Sequence, residues 1–398
     1  MTRVIGTVSR GLRAPIIKEG DDLPAIVVET LLQASDQANF TIQDRDIMAV
    51  TESILARSQG NIVSLDEVAQ DVKAKFESDT VGILYPILSR NRYLSILRGV
   101  ARACKRVVIQ LAYPADEQGN QLVTTEELSA SSIDPWSDTL SEDEFRSHFP
   151  TISHRFTQED YVKLYRETVE SEGAECQIIF SNQVAAILDY TDHVLVSNIH
   201  ARQKTKRQLE AAGGKKVLTL ADINNQPVNG GKGYNDEFGL LGSNLAGDNG
   251  LKLFPRHSQE FAEEVQALVK DKTGKTIEVL VYGDGAFKDP VGGIWELADP
   301  VVSPGYTKGL EGTPDEVKLK YLADNQFKDL SGDELKDAVL SYIQEHDPVD
   351  EAGNNVALGT TPRRYTDLIG SLADLTSGSG DKGTPFIYIQ GYFDNLAD

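Results

Sequence analysis

Residues 371–392 read SLADLTSGSGDKGTPFIYIQGY, and within them Gly378-Ser379-Gly380-Asp381-Lys382-Gly383 satisfies the pattern G-x-G-x-x-G. In a dinucleotide-binding unit those glycines follow a strand and open a helix. Here the order is inverted. Leu368, Ile369, Leu372 and Leu375 recur at helical spacing and predict a helix before the glycines. The segment TPFIYIQGY after them is rich in β-formers and predicts a strand. The stretch is therefore a helix-to-strand turn. Two readings stay open on these residues alone: a solvated glycine turn, or a cradle of backbone amides facing an anion.

Working outward, strand and helix signals alternate along the chain. MTRVIGTVS (1–9) reads as an opening strand, and LPAIVVETLLQAS (23–35) as a helix with Asp21 and Asp22 at its start. RDIMAVTES (45–53) is a second strand. SLDEVAQDVKAKFE (64–77) is a helix with Ser64 as N-cap and Glu67 completing a capping box. RYLSILRGVARACKRVVIQLAY (92–113) passes from helix to strand, whereas residues 114–156 are acidic and poorly periodic. From Glu175 to Ile223 short apolar strands alternate with helical segments, a βαβαβ-like pattern that ends in the turn-rich NNQPVNGGKGYN (224–235). EFGLLGSNLAGDNGLKLFPR (237–256) is punctuated by glycine. SQEFAEEVQALVKDK (258–272) reads as a helix, TIEVLVYGDGAF (276–287) as a buried strand ending in a polar turn, and residues 313–346 as two amphipathic helices. The fold class expected is mixed α/β.

Composition bounds the function. The chain has 398 residues, 40% of them hydrophobic, and a formal net charge of −22. A length of this order suits two or three units. The charge argues against a general nucleic-acid binder, since no basic surplus exists to neutralise phosphates. Local lysines, arginines and loop amides remain able to hold a small anion. Cys104 and Cys176 form no C-x-x-C site and sit in apolar surroundings, as buried thiols do. The segment MTRVIGTVSRGL lacks the apolar core of a signal peptide, and no apolar run reaches membrane-spanning length. A cytoplasmic protein with no membrane partner is the expectation.

The usual catalytic motifs are missing. There is no H-E-x-x-H, no G-x-S-x-G and no kinase set, and the six histidines are scattered. Gly274-Lys275-Thr276 matches the end of a P-loop, but Val269 stands where its first glycine is needed and a strand follows, so it is a polar turn. What remains is a set of polar loops at strand ends. These are Arg10, Gly11 and Arg13; Thr51, Ser53 and Arg57; Ser243 and Asn244; Asp284, Lys288 and Asp289; and the glycine-rich stretch. Arginines and loop amides suit phosphate, and an aspartate beside Gly283 and Gly285 suits a hard cation. Taken singly, each loop is accounted for as a solvated turn.

The order of these loops resembles that of the coenzyme F(420)-0:L-glutamate ligases, or γ-glutamyl ligases. Their G-D-D-L start and D-x-x-x-V-T-S-K-I-V-S-K-x-E-G motif look like GDDL (20–23) and DIMAVTESILARSQG (46–60). Their A-G-I-D-x-S-N followed by L-L-P looks like FGLLGSNLAGDNGLKLFP (238–255). Their V-I-x-S-D-T-x-G-R looks like VLVYGDGAFK (279–288), and their C-terminal motif like YTDLIGSLADLTSGSGDKGTPFIYIQG (365–391). The resemblance covers roughly the first hundred residues and the stretch after Tyr234. It implies a γ-glutamyl ligase-like α/β core from 1–112 and 234–398, with residues 113–233 as an inserted α/β subdomain.

The same resemblance implies a homodimeric enzyme, dependent on GTP (ATP being the alternative) and on Mg²⁺ or Mn²⁺. It would join L-glutamate to an acidic acceptor through an acyl phosphate. By position, nucleotide contacts fall on Gly11, Leu12, Arg13, Arg57, Asn244 and the loop of Gly378, Ser379, Gly380, Asp381 and Gly383, and a metal contact on Asp284. Three further metal positions of the family align with Leu241, Gly285 and Ser379. Leucine has no lone pair for a cation, so a neighbour such as Glu237, Asp248 or Asp289 substitutes, or the metal binds weakly, or the two-metal reaction is gone. A non-catalytic descendant that binds a nucleotide or metabolite is the rival expectation.

Overall fold

A computed structural model describes residues 4–154, 158–283, 286–288, 295–297, 302–314, 317–345, 364–378 and 380–397. The chain forms two compact units, one from residues 1–55 with nearly all of the chain from 257 onward, the other from Ala56–Arg256.

The first unit opens with β1 (Val8–Leu12), α1 (Leu23–Ala38) and β2 (Ile47–Thr51), and α2 (Glu52–Ser58) leads out of it. The second unit then runs β3 (Ile62–Ser64), α3 (Leu65–Phe76), β4 (Thr80–Leu84), α4 (Arg90–Ala103) and β5 (Arg106–Leu111). It continues with α5 (Thr125–Ala130), β6 (Thr139–Ser141), α6 (Glu142–His148), α7 (Tyr161–Ser171), β7 (Glu175–Ser181) and β8 (His193–Val196). It closes with α8 (Arg202–Ala211), β9 (Lys216–Thr219), β10 (Asn244–Ala246) and β11 (Gly250–Lys252). The first unit resumes with α9 (Ser258–Thr273), β12 (Glu278–Gly283), β13 (Ala286–Lys288), β14 (Trp295–Leu297), β15 (Val302–Tyr306), α10 (Leu319–Asp324), α11 (Gly332–Glu345), α12 (Tyr365–Ser377) and β16 (Phe386–Gln390).

In the first unit the main sheet has the order β1-β16-β2-β12-β15, with only β2 and β12 parallel. IMAV, VLVY and FIYI are apolar throughout because both faces of this sheet are covered. Met48, Val50, Val279, Val281 and Tyr388 pack toward α1 and α9 on one face. Ile47, Ala49, Leu280, Tyr282 and Ile387 pack toward Ile369 and Ala373 of α12 on the other. Helix α1 starts where expected: Asp22 accepts a hydrogen bond from the Ala25 N–H at 3.1 Å, and Pro24 tolerates the first turn. The opening strand lies later than the predicted 1–9, over Val8–Leu12, where it pairs antiparallel with β16.

The second unit is built on a sheet of order β6-β7-β5-β4-β8-β9, parallel except for β6 at the edge. Helices α3, α4 and α7 cover one face through Val68, Ile96, Val100, Val162 and Tyr165. A 3-10 helix over Val184–Asp189 and α8 cover the other through Ile187 and Leu209. The chain steps outward from β4 to β5 and β7, then returns to place β8 and β9 on the opposite side of β4. This is a doubly wound sheet whose direction of winding reverses between β4 and β8. Residues 113–233 supply β6 to β9, and the central strands β4 and β5 precede them. A separate antiparallel sheet, β10-β11-β3, completes this unit.

Several local readings resolve differently. The acidic stretch 114–156 carries α5 and α6, each opened by a capping box, Thr124 with Glu127 and Ser141 with Glu144. The polar turn at Lys275 is a helix terminus: Gly274 at φ +72° ends α9 and passes the chain to β12. Glycine-punctuated 237–256 holds the short β10–β11 hairpin.

Candidate functional site

The main sheet of the first unit gathers loop ends at one edge. Strands β2 and β12 run parallel and finish together, with Thr51 opposite Tyr282. Strand β16 runs the other way and begins there, with Phe386 opposite Val50. Strand β1 ends beside it, with Leu12 opposite Phe386. Four chain segments therefore meet at this end: residues 11–14 at the end of β1, 51–52 at the end of β2, 283 ending β12, and 377–378 with 380–385 before β16.

Backbone hydrogen bonds lock this convergence. The Ala14 N–H donates to the Gly383 carbonyl at 3.1 Å, and the Thr51 N–H to the Pro385 carbonyl at 3.1 Å. Gly11 lies so close to Thr384 that an added Cβ would stand 3.1 Å from the threonine Cβ. A Cβ on Gly283 would stand 2.6 Å from Cγ of Glu52, a buried carboxylate side chain 8% exposed. Small residues at Gly11 and Gly283 thus let neighbouring loops approach.

The glycine-rich loop has a defined shape. Helix α12 ends at Ser377, and Gly378 at φ +66°, ψ −149° takes an extended positive-φ conformation that is essentially confined to glycine. Gly380–Lys382 make one 3-10 turn, and Gly383 at φ +65° redirects the chain into β16. Thr384 closes the loop by donating its hydroxyl to the Ser377 carbonyl at 2.8 Å. Ser9 on β1 shares a 2.8 Å hydrogen bond with Thr376 on α12. The Lys382 side chain folds back over Gly378, where a Cβ would stand 2.5 Å from its Nζ. Lys382, Thr384 and Glu52 were not singled out from sequence, although Lys382 lies inside the quoted motif.

Charge at this edge suits an anion. Arg13 and Lys382 are both exposed, and among the described residues neither joins an ion pair. They flank the Ala14–Gly383 hydrogen bond, each one residue before its partner. Below them the Tyr282 hydroxyl is buried on β12. Burial pushes its pKa well above the ordinary tyrosine value, with Ser377 beside it offsetting part of the shift.

Gly11, Leu12, Arg13, Gly378, Gly380, Asp381 and Gly383 are thus brought to one place. Ser379 and Asp284 lie outside the described residues, as do Gly285 and Asp289. Arg57 and Asn244 belong to the second unit. There Arg57 is exposed in the last turn of α2, and Asn244 opens β10 opposite Lys252. Leu241, which the resemblance aligns with a metal position, is 5% exposed and packs in the core of that unit. Glu237 and Asp248 are exposed. Among the described residues no three His, Cys, Asp or Glu side chains stand together as a cation site. Leu241 offers no donor to a cation, and Asp284, the aspartate that the resemblance assigns to one, lies outside the described residues. Burial pushes both cysteine thiols up to about 12, which removes them as nucleophiles at neutral pH.

The family described as F420-0:Gamma-glutamyl ligase matches residues 11–391, from the glycine of β1 to just past β16. The chain belongs to this family. Two relatives are the coenzyme F420:L-glutamate ligases of Methanosarcina mazei, 31% identical over 85 residues, and Methanosarcina acetivorans, 29% identical over 84 residues. Each match covers 20% of this chain and spans about 30% of the relative's length. The mixed α/β architecture agrees with the fold that the motifs imply. Among the described residues no helix is long and apolar enough to cross a membrane.

Proposed function

We propose that this γ-glutamyl ligase family member is a nucleotide-dependent amide ligase that joins L-glutamate, or another amine, to a small acidic acceptor. The observation that carries this reading is the meeting of the Gly11–Ala14 segment with the glycine-rich loop, with two exposed cations, unpaired among the described residues, next in sequence to their junction. Backbone amides in left-handed turns and paired cations are what a polyphosphate requires. GTP is the proposed nucleotide, with ATP as the alternative. Asp284, next in sequence after Gly283, is the residue proposed to contact Mg²⁺ or Mn²⁺.

The chemistry is a double displacement. A carboxylate oxygen of the acceptor attacks the γ-phosphorus, the nucleoside diphosphate leaves, and an acyl phosphate forms. The glutamate amine then attacks the acyl carbon, phosphate leaves, and the nitrogen loses a proton as the amide forms. Phosphorylation is needed because a carboxylate is a poor acyl donor. In this scheme Arg13 and Lys382 hold the transferring phosphates and offset charge as it shifts between oxygens. The glycine loop fixes their position at the sheet edge.

Isothermal titration of GTP and ATP, with and without Mg²⁺, tests the first half of this reading. Binding of a nucleoside triphosphate that Asp284→Ala makes metal-independent supports it; no binding of either nucleotide overturns it. The second reading, a non-catalytic nucleotide-binding descendant, is favoured by the burial of Leu241 in an apolar core. Phosphate release from GTP that depends on both glutamate and an acid acceptor separates the two. We further propose that the protein acts as a homodimer, which light scattering measures directly.

A further inference from the structure

The second unit contains a feature that the ligase chemistry does not use. Its parallel sheet reverses winding between β4 and β8, and open α/β sheets bind ligands outside the carboxyl ends of strands at such a point. Here the two strand ends are tied together: the Ser197 N–H donates to the Leu84 carbonyl at 2.8 Å, and Ser197 shares a 2.8 Å hydrogen bond with the Tyr93 hydroxyl. The turn from Asn198 to Arg202 leads into α8.

An anion already sits on this turn, and the protein supplies it. The carboxylate of Glu117, from the segment after β5, accepts hydrogen bonds from the backbone N–H groups of Ile199 and of His200, the latter at 3.1 Å. Glu117 is exposed, whereas its neighbour Asp116 anchors the loop by accepting from the Leu88 N–H at 2.7 Å and the Asn120 N–H at 2.9 Å. Rotation of the Glu117 side chain alone therefore vacates the two amides without unravelling the loop.

Two buried polar atoms on the same turn are unmatched. Asn198 is 5% exposed; its Nδ2 donates to Thr205 at 3.2 Å, but among the described residues its Oδ1 meets no donor. Arg202 donates through Nη1 to the Ile199 carbonyl at 2.6 Å, but among the described residues its Nε meets no acceptor. A buried acceptor and a buried donor left open are costly unless something completes them. The turn after β4 is Tyr85-Pro86-Ile87-Leu88-Ser89, with Tyr85 at φ +53° and no glycine fingerprint. A dinucleotide pyrophosphate has no cradle there.

We propose that the turn Asn198–Arg202 is a binding site for a small acid, with Glu117 as a built-in competitor for the anionic position. The ligand carries a carboxylate or phosphate group for the Ile199 and His200 amides and Arg202, and an adjacent hydroxyl or N–H for Asn198 Oδ1. The site lies wholly in the second unit and stands independently of the ligase reading.

The test is calorimetry on the full chain in chloride-poor buffer, with inorganic phosphate and with glycolate, a carboxylate bearing one neighbouring hydroxyl. Glu117→Ala is expected to bind at least one probe about tenfold more tightly than the parent. Glu117→Gln, which keeps a hydrogen-bond acceptor without the charge, is expected to fall between them. The stronger probe identifies the anionic group. Adding Asn198→Asp to Glu117→Ala is expected to abolish the gain by setting a charge against the anion. No gain for either probe in both Glu117 variants, or a gain that survives Asn198→Asp, overturns the proposal.

Discussion

The Ala14 N–H and the Gly383 carbonyl, 3.1 Å apart, join two segments separated by most of the chain. Strand β1 and the glycine-rich loop are thereby one local structure, although neither specifies the other in sequence. The cations Arg13 and Lys382 each immediately precede one of the bonded residues. If this junction holds polyphosphate, Arg13→Ala and Lys382→Ala should each weaken GTP binding. A charge-assisted hydrogen bond contributes about 1.5–3 kcal/mol, so roughly ten- to a hundredfold per substitution is expected. Both residues are exposed, so thermal unfolding should be nearly unchanged. Unaltered GTP affinity in both variants would remove them from the site.

Gly378 tests the shape of the loop. Its φ of +66° and the closeness of Lys382 Nζ, 2.5 Å from where a Cβ would stand, both oppose a side chain. Gly378→Ala should cost roughly 1–3 kcal/mol of stability through its positive-φ, extended-ψ backbone, a region essentially confined to glycine. It should also displace the lysine and weaken nucleotide binding. Urea denaturation and titration of one variant report both effects, and Lys382→Ala combined with it should relieve the steric part alone.

How much of this was legible in sequence depends on range. The capping box of Ser64 and Glu67 and the helix-then-strand order around Gly378–Gly383 are local, and the structure shows them as read. The boxes of Thr124 and Ser141 carry the same signal, yet each opens a helix too short for periodicity to be visible. The hairpin of β10 and β11 has three-residue strands broken by Gly247 and Gly250, so its pairing outweighs weak strand propensity. Membership of a sheet is a different matter. The alternation of strands after Glu175 was readable, but that β4 and β5 sit at their centre is a consequence of crossovers spanning 112–174, which no local pattern encodes. Convergence of the loops at Thr51, Leu12 and Phe386 likewise follows from strand register.

Asp46 anchors the far end of the same sheet. It is 3% exposed and accepts hydrogen bonds from the Tyr388 hydroxyl, from Gln390 Nε2 at 3.0 Å and from the Gln43 N–H at 2.8 Å. Tyr388→Phe removes one donor and leaves the buried carboxylate less satisfied. A loss of about 1–3 kcal/mol is expected, because the acceptor is charged. Nucleotide affinity should be retained, since the loops lie at the opposite strand ends. Chemical denaturation beside a GTP titration distinguishes this structural role from one in binding.

In the second unit, Glu172 receives Arg98 Nε and Arg102 Nε, each at 2.6 Å. Burial alone would raise its carboxyl pKa, but the bonds from Arg102 and Arg98 outweigh that and hold it below the ordinary glutamate value. The folded pKa is therefore lower than the unfolded one. The linked stability is fully present above the unfolded value, about 4.3, and is lost as pH falls through the lowered folded value. Glu172→Gln should destabilise the protein at pH 7, leaving two arginines without their shared carboxylate, and the cost for a partly buried network is about 1–3 kcal/mol. The difference between parent and variant should then shrink as pH drops below about 4.3. Thermal unfolding between neutral and acidic pH measures it. A gap that stays constant across that range would mean that the carboxylate is not held ionised by its arginines.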